Sequence, residues 1–358
     1  RMIIMPKTWY KVVIVIVSIV LLIFLIGFSI LVFSEYFPDD RETLSIDGES
    51  TKTLKQGEST SIITYNLGYL SLDNTQDFFM DGGKGVRPQS ATNVTKNLAA
   101  VNNFITNQDA DIYLLQEVDT KAKRSYNINE YDGLKQNFKG TATFAYMFNS
   151  LYIPYPVFNT VGHVESGVVT LNKYNVTDAT RIALPSAYSW PKRAVMYKNC
   201  LLEQRISVEG TDKELVIYNV HLDAYGKKNG KEGQLELLIS NMKEEYEKGN
   251  YVIAGGDFNQ IFPDTDLEKF PVMDTKNFNP TQMSNDSLPE GWSFVTDTQK
   301  PTSRLLNEEY SGSYENTQLY VIDGFIISPN IEKESVETIE NNFSYSDHQP
   351  VKLKIKLK

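Results

Sequence analysis

The chain has 358 residues, one cysteine, three histidines and a net charge of −10. A single cysteine excludes an intrachain disulfide and a cysteine-based zinc cluster. Three bases and no acid precede residue 34, so the remainder carries −13, which argues against tight nonspecific binding to a nucleic-acid backbone.

Residues 12–33 form a run of 22 uncharged residues, almost all Val, Ile, Leu and Phe. At about 1.5 Å per residue such a run crosses a bilayer core of roughly 30 Å. A signal peptide has a shorter apolar core and a small-residue cleavage site, and Ser34-Glu35-Tyr36-Phe37-Pro38 offers none. An uncleaved transmembrane helix is therefore expected. Arg1, Lys7 and Lys11 precede it, whereas Glu35, Asp39 and Asp40 follow it with Arg41 the only nearby base. Basic flanks stay inside, which predicts a cytoplasmic stub at 1–11 and an extracytoplasmic remainder on the cell membrane. Trp9 and Tyr10 on one side, and Tyr36 and Phe37 on the other, suit the two interfaces. Residues 34–60 are polar and read as a linker, leaving 61–358 as one large domain with interior enough to fold without disulfides.

Within that domain, short runs rich in Val, Ile and Tyr predict strands at 61–65, 111–116, 166–171, 194–208, 214–221, 251–255, 320–328 and 350–357. Two segments have helical period. Val94, Leu98, Val101 and Ile105 mark 92–108; Leu235, Leu238, Ile239, Met242 and Tyr246 mark 232–248, with Gly249 as a natural stop. Residues 264–301 read as long polar loops. Strands outnumber the helices lying between them, which predicts a layered α/β or α+β domain with sheets at the core.

The strands end in polar clusters. Asn66 follows one, Glu117 the next, then Asn219-Val220-His221, Gly255-Gly256-Asp257-Phe258-Asn259 and Asp323, and Ser346-Asp347-His348 precedes the last. Sheet proteins gather their sites at such strand ends. The donors are carboxylates and amides without cysteine, a hard oxygen set that suits Mg²⁺, with Mn²⁺ or Ca²⁺ as alternatives. Two of the three histidines, His221 and His348, fall among them, where imidazole suits proton transfer or phosphoryl charge. Taken singly, each cluster is equally well a turn or a solvated acid.

Taken in order, Thr64-Tyr65-Asn66-Leu67-Gly68, Leu115-Gln116-Glu117-Val118, Asn219-Val220-His221-Leu222, Gly256-Asp257-Phe258-Asn259, Ile322-Asp323-Gly324 and Ser346-Asp347-His348 resemble the endonuclease/exonuclease/phosphatase superfamily. The resemblance spans 61–358. It implies a two-sheet α/β sandwich with outer helices and a metal-dependent phosphodiesterase or phosphatase activity. By position it implies a metal shell of Asn66, Glu117 and Asp347. It also implies that Asp257 and Asn259 orient water and the scissile phosphate, that His348 pairs with Asp323, and that His221 donates to a phosphate oxygen.

A lipid or envelope phosphodiester fits the anchor and the acidic domain. An extracellular nuclease fits the superfamily but lacks a basic footprint, and an inactive binding module would have lost a ligand or a histidine, which this sequence has not. Arg124 and Tyr126 are further candidates to reach substrate phosphate. His163, outside the clusters, reads as structural. The aromatic run at 144–158 is either core or a loop that touches lipid or substrate.

Overall fold

The computed structural model describes residues 7–186, 188–225 and 228–358. Arg1, and with it half of the expected stub, lies outside the described residues. In chain order the elements are α1 (Lys7–Phe33), β1 (Arg41–Thr43), β2 (Asp47–Gly48), β3 (Ser59–Asn66), α2 (Ala91–Gln108), β4 (Ile112–Ala122), α3 (Glu130–Lys135), β5 (Thr141–Ile153), β6 (Gly162–Asn172), β7 (Val176–Ala183), β8 (Cys200–Ser207), β9 (Glu214–His221), α4 (Lys228–Glu247) and β10 (Tyr251–Asp257). There follow β11 (Ser293–Val295), β12 (Ser303–Arg304), β13 (Leu319–Tyr320), β14 (Asp323–Ile327), β15 (Ile331–Thr338) and β16 (Val351–Leu357).

Two seven-stranded sheets, ordered β1-β7-β8-β9-β10-β14-β11 and β15-β16-β3-β4-β6-β5-β2, form a sandwich with helices outside. The central strands read as continuous apolar runs because both of their faces are covered. In β9, Leu215 and Ile217 point between the sheets with Ile62, Leu114, Ile253 and Phe325. The alternate residues Val216, Tyr218 and Val220 pack outward against Leu235, Leu238 and Met242 of α4. In β3, Ile62 faces inward, and Ile63 and Tyr65 meet Val94, Val101 and Ile105 of α2. The period of two thus splits one run between two cores. Each fully buried Ile or Leu contributes about 1.5–3 kcal/mol.

Each sheet contains one parallel pair joined across a helix: β3 and β4 through α2, β9 and β10 through α4. The remaining pairings within the sheets are antiparallel. A buried polar seam couples the sheets. Gln116 Nε2 donates to Asn219 Oδ1 (2.8 Å), and Asn219 Nδ2 donates to the Val169 carbonyl (2.8 Å).

Three expectations need correction. Residues 34–60 are not a free linker: β1 pairs with β7, β2 pairs with β5, and Leu54 is buried between the sheets. The short, mixed-charge segment hides these edge strands because they need only backbone partners. The strand expected at 194–208 begins at Cys200; residues 192–195 form a 3₁₀ turn, and Val195, Met196 and Tyr197 line a cavity instead of pairing. The strand expected at 320–328 is broken: Tyr320 pairs with Ser303, and β14 starts at Asp323. The carbonyls of Val321 and Ile322 between them accept from Phe262 and Phe258 of the loop after β10.

Candidate active site

The two parallel pairs deliver their carboxyl ends to one place. Asn66 ends β3, His221 ends β9 and Asp257 ends β10, while Glu117 sits partway along β4. In the sheet that holds β9, β10 and β14, the register places His221, Asp257 and Asp323 side by side on three neighbouring strands. Paired residues share a face, so one row of backbone hydrogen bonds sets three of the side chains singled out from the sequence. Gly256 makes this row possible: a Cβ there would lie 1.9 Å from the Val220 carbonyl oxygen.

Glu117 reaches the row through a bulge. The β4–β6 register shifts between Leu115 and Val118, and Glu117 takes φ +53°. Such a left-handed residue costs on the order of 1–2 kcal/mol and is held by its surroundings. The bulge re-aims the carboxylate. Its Oε1 lies 3.7 Å from His221 Nε2 and 3.3 Å from Asn66 Nδ2. Asn66 Nδ2 also donates to Asp257 Oδ2 (3.0 Å), while its carbonyl accepts from the Gly68 N–H (3.0 Å). Asn66 therefore bridges two acids, leaving one lone pair of its carbonyl for a cation.

His348 stands in the middle. Its Nδ1 meets Asp323 Oδ2 at 2.8 Å, and its Nε2 lies 3.7 Å from Asp257 Oδ2 and 3.9 Å from Asp347 Oδ2. Burial alone would push this imidazole down, but Asp323, Asp347 and Asp257 together hold it well above the usual histidine range. Burial raises the Asp323 carboxyl to about 6, against the lowering pull of His348. Burial and the Glu117 charge raise Asp347 to about 7, against the pull of His348 and Arg304. Gly68 leaves room for Asp347, because a Cβ there would stand 2.7 Å from Asp347 Oδ1. Asn259, at φ +50°, donates its backbone N–H to Asp257 Oδ1 (2.8 Å) and its side-chain amide to the Leu222 carbonyl (2.8 Å).

Six of the eight residues singled out from the sequence (Glu117, His221, Asp257, Asn259, Asp347 and His348) line one cavity of roughly 370 Å³, with Asn66 and Asp323 directly behind them. Asp257, Asp323 and His348 offer ligand atoms within 4.8 Å of one another. The Asp323–His348 hydrogen bond already occupies two of these groups. Glu117 and Asp347 form the other acidic flank, where burial, with Glu117 beside it, keeps the Asp347 carboxyl from ionising as a free one does. That donor set suits a hard divalent cation.

Arg124 also lines the cavity, but Asp119 holds it through two hydrogen bonds (3.1 and 2.8 Å) and it stacks on Tyr69. Tyr126 donates to the Pro88 carbonyl and His163 contacts Asn127; neither lines the cavity. Sequence reasoning missed Tyr197, whose ring lies 6.0 Å from that of His221, and Tyr225, which donates to buried Asp81 on the cavity wall (2.6 Å). Neither sits at a strand end, the one signal that was read. The aromatic run divides: Phe144, Tyr146 and Phe148 pack within β5, whereas Tyr152 at its end and Tyr155 and Phe158 beyond it are exposed on the β5–β6 hairpin.

The sequence pattern of the Endonuclease/Exonuclease/phosphatase family matches residues 63–348. No curated protein matches the chain. The fold is similar to that of an endonuclease/exonuclease/phosphatase from Beutenbergia cavernae DSM 12333, at 12% identity and a TM-score of 0.56 over 84% of this chain and 72% of that one. It is similar to one from Bacteroides vulgatus at 16% identity and a TM-score of 0.53, over 84% of this chain and 100% of that one. It is also similar to ANGEL2, a 2′,3′-cyclic phosphatase in complex with adenosine-2′,3′-vanadate, at 13% identity and a TM-score of 0.53, over 88% and 98%.

Proposed function

Because this chain belongs to the endonuclease/exonuclease/phosphatase family, and so is a phosphoester hydrolase, we propose that its eight clustered residues split a phosphodiester by direct attack of water. The observation that carries this reading is the row of His221, Asp257 and Asp323 with the His348 imidazole set between the two acids. A water seated beside Asp257 Oδ2 gives its proton to that carboxylate as its oxygen attacks phosphorus, and the protonated His348 Nε2 faces the same place as a donor. The bond to the leaving oxygen breaks as the new P–O bond forms, with no covalent enzyme intermediate. Asp323 fixes the His348 ring and stabilises its protonated form. His221 Nε2, within 3.7 Å of Glu117 and Asp257, faces the phosphoryl oxygens as a preorganised donor. Asn259 holds Asp257 in place through its backbone N–H.

The family is generally dependent on a divalent metal. Glu117 and Asp347, with the Asn66 carbonyl at hand, are the residues we assign to hold one, and their hard oxygens suit Mg²⁺, Mn²⁺ or Ca²⁺. When bound, it supplies charge neutralisation at the phosphoryl and leaving oxygens.

Location completes the proposal. α1 carries an apolar stretch, Thr8–Ile30, with mean hydropathy 3.3 and no buried residue, long enough to cross a membrane. We read it as a single-pass anchor of the cell membrane with the N-terminus cytoplasmic and the hydrolase outside. The test is hydrolysis of bis(p-nitrophenyl) phosphate by the full chain, with and without Mg²⁺. Activity that needs the cation and vanishes in folded Asp257→Ala and His348→Ala variants supports the reading; full activity in either variant overturns it.

A further inference from the structure

We infer that the cavity opens onto the bilayer that α1 crosses, and that the phosphodiester it takes is that of a membrane lipid, drawn in between Trp190 and the tip of the β5–β6 hairpin. This rests on the hydrolase reading above and on α1 as the anchor.

The first observation is the contact between anchor and domain. Trp190 packs edge-on against Phe28, with ring centroids 5.5 Å apart. Phe28 lies five residues before the end of the uncharged run 12–33, about 7.5 Å along the helix axis. A ring touching it stands near the interfacial region that tryptophan prefers. Glu35 fixes that approach: its side chain is only 2% exposed and accepts from Arg193 Nε (2.9 Å) and Lys198 Nζ (2.8 Å).

The second observation is what the same segment builds. Tyr188, Val195 and Met196 form one wall of the cavity, and Ile153 and Tyr155 of the hairpin form another. Beyond Tyr155 the hairpin tip presents Leu151, Val157 and Phe158 to solvent, with Phe158 fully exposed at 103%. A cluster of this kind on a soluble face marks a surface with an apolar partner. A bilayer already held against Trp190 supplies that partner without a second protein. Two cations lie near these walls and suit an anionic headgroup. Lys192 lies 4.5 Å from the Tyr188 ring, and Arg87 is bonded to Asn159 of the hairpin at 2.7 Å. Apolar walls leading to a polar, acidic floor match a molecule that is apolar at one end and a phosphodiester at the other.

The experiment uses the full chain in nanodiscs containing phosphatidylcholine, phosphatidylethanolamine, phosphatidylglycerol and a sphingolipid phosphodiester, with bis(p-nitrophenyl) phosphate as the soluble comparison. The combined Leu151→Ser, Val157→Ser and Phe158→Ser variant changes only residues outside the cavity lining. We expect its turnover of disc lipid to fall by about tenfold or more while its soluble-diester rate stays at the parent level. Equal lipid turnover in parent and variant overturns the inference, as does a parent that cleaves the soluble diester but none of the lipids. A parent that cleaves neither overturns the hydrolase reading itself. Docking has its own readout. Cys200 is the only native cysteine and is buried, so a polarity-sensitive dye on Phe158→Cys reports the tip alone. Blue-shifted emission in nanodiscs relative to the detergent-free hydrophilic baseline of a labelled Lys84→Cys variant is expected; equal emission at the two sites overturns the docking.

Discussion

The floor of the cavity and its walls are built by different rules. The floor is made of strand ends: His221, Asp257 and Asp323 are locked side by side by the ladder, and each is at most 6% exposed. The walls come from irregular chain at 78–81, 188–197 and 222–225 and from a hairpin tip at 153–161. Chemistry that tolerates little displacement rests on the sheets, and access to it rests on segments free to differ in shape. The contrast is open to attack from both ends.

The largest effect is expected on the floor. Asp257→Ala or His348→Ala should lower kcat/KM for a soluble diester by about 10²–10⁴ with the circular dichroism spectrum unchanged. A loss of only a fewfold would mean that the floor does not carry the reaction. Next comes Gly256→Ala, which touches no substrate but forces a Cβ into the Val220 carbonyl. It should cost about 3 kcal/mol, read as a fall in Tm of at least about 5 °C. An unchanged Tm would show that the β9–β10 row can open without penalty.

Acidity sharpens the same point. In the absence of a divalent cation, Asp347 and Asp323 titrate at about 7 and about 6 in the folded chain, above the ordinary aspartate value near 3.9. Because both values are raised, their contribution to stability is full below pH ~4 and is lost as pH rises through 6 to 7. A cation that binds the ionised forms reverses this trend. The rise in Tm on adding Mg²⁺ should therefore be larger at pH 8 than at pH 5, and an equal rise at both would remove Asp347 from the metal site.

The walls should answer more weakly. Tyr155→Ala, which removes a ring packed 5.5 Å from that of Phe79, should raise KM for a short-chain lipid diester about three- to tenfold and leave kcat alone. A fall in kcat instead would make this wall part of the floor. The smallest change is expected from Glu35→Gln, which weakens the two ion pairs at the helix exit at a cost of about 1–2 kcal/mol in thermal unfolding.

What the sequence made legible follows the same division. The floor residues sit where apolar runs stop, and an apolar run is visible in one dimension; hence Asn66, Glu117, His221 and Asp257 stood out before any coordinates. The helices at 92–108 and 232–248 were visible for the same reason, as one periodic face over each sheet. Tyr197 and Tyr225 were invisible because irregular chain carries no period. The bulge at Glu117 was also hidden, since it depends on the register of β6 and not on β4 itself. Strands β1 and β2 escaped notice because edge pairing recruits backbone from almost any composition. Asn259 was found by its neighbours, but the hydrogen bonds that tie it to Asp257 and Leu222 appear only in three dimensions.

The stitching of residues 41–57 into both sheets bears on how firmly α1 stays joined to the hydrolase. Thr43 lies against Thr180, Leu54 fills the interior, and the Gly57 N–H bonds to the carbonyl of Leu357, next to the last residue of the chain. A protease seeking to shed the domain finds no slack stalk there. A cut at residues 49–53 leaves β1 and β2, one edge strand of each sheet, on the N-terminal piece, which stays paired to β7 and β5. Separation then requires peeling an edge strand from each sheet, so a single cleavage does not by itself part α1 from the domain.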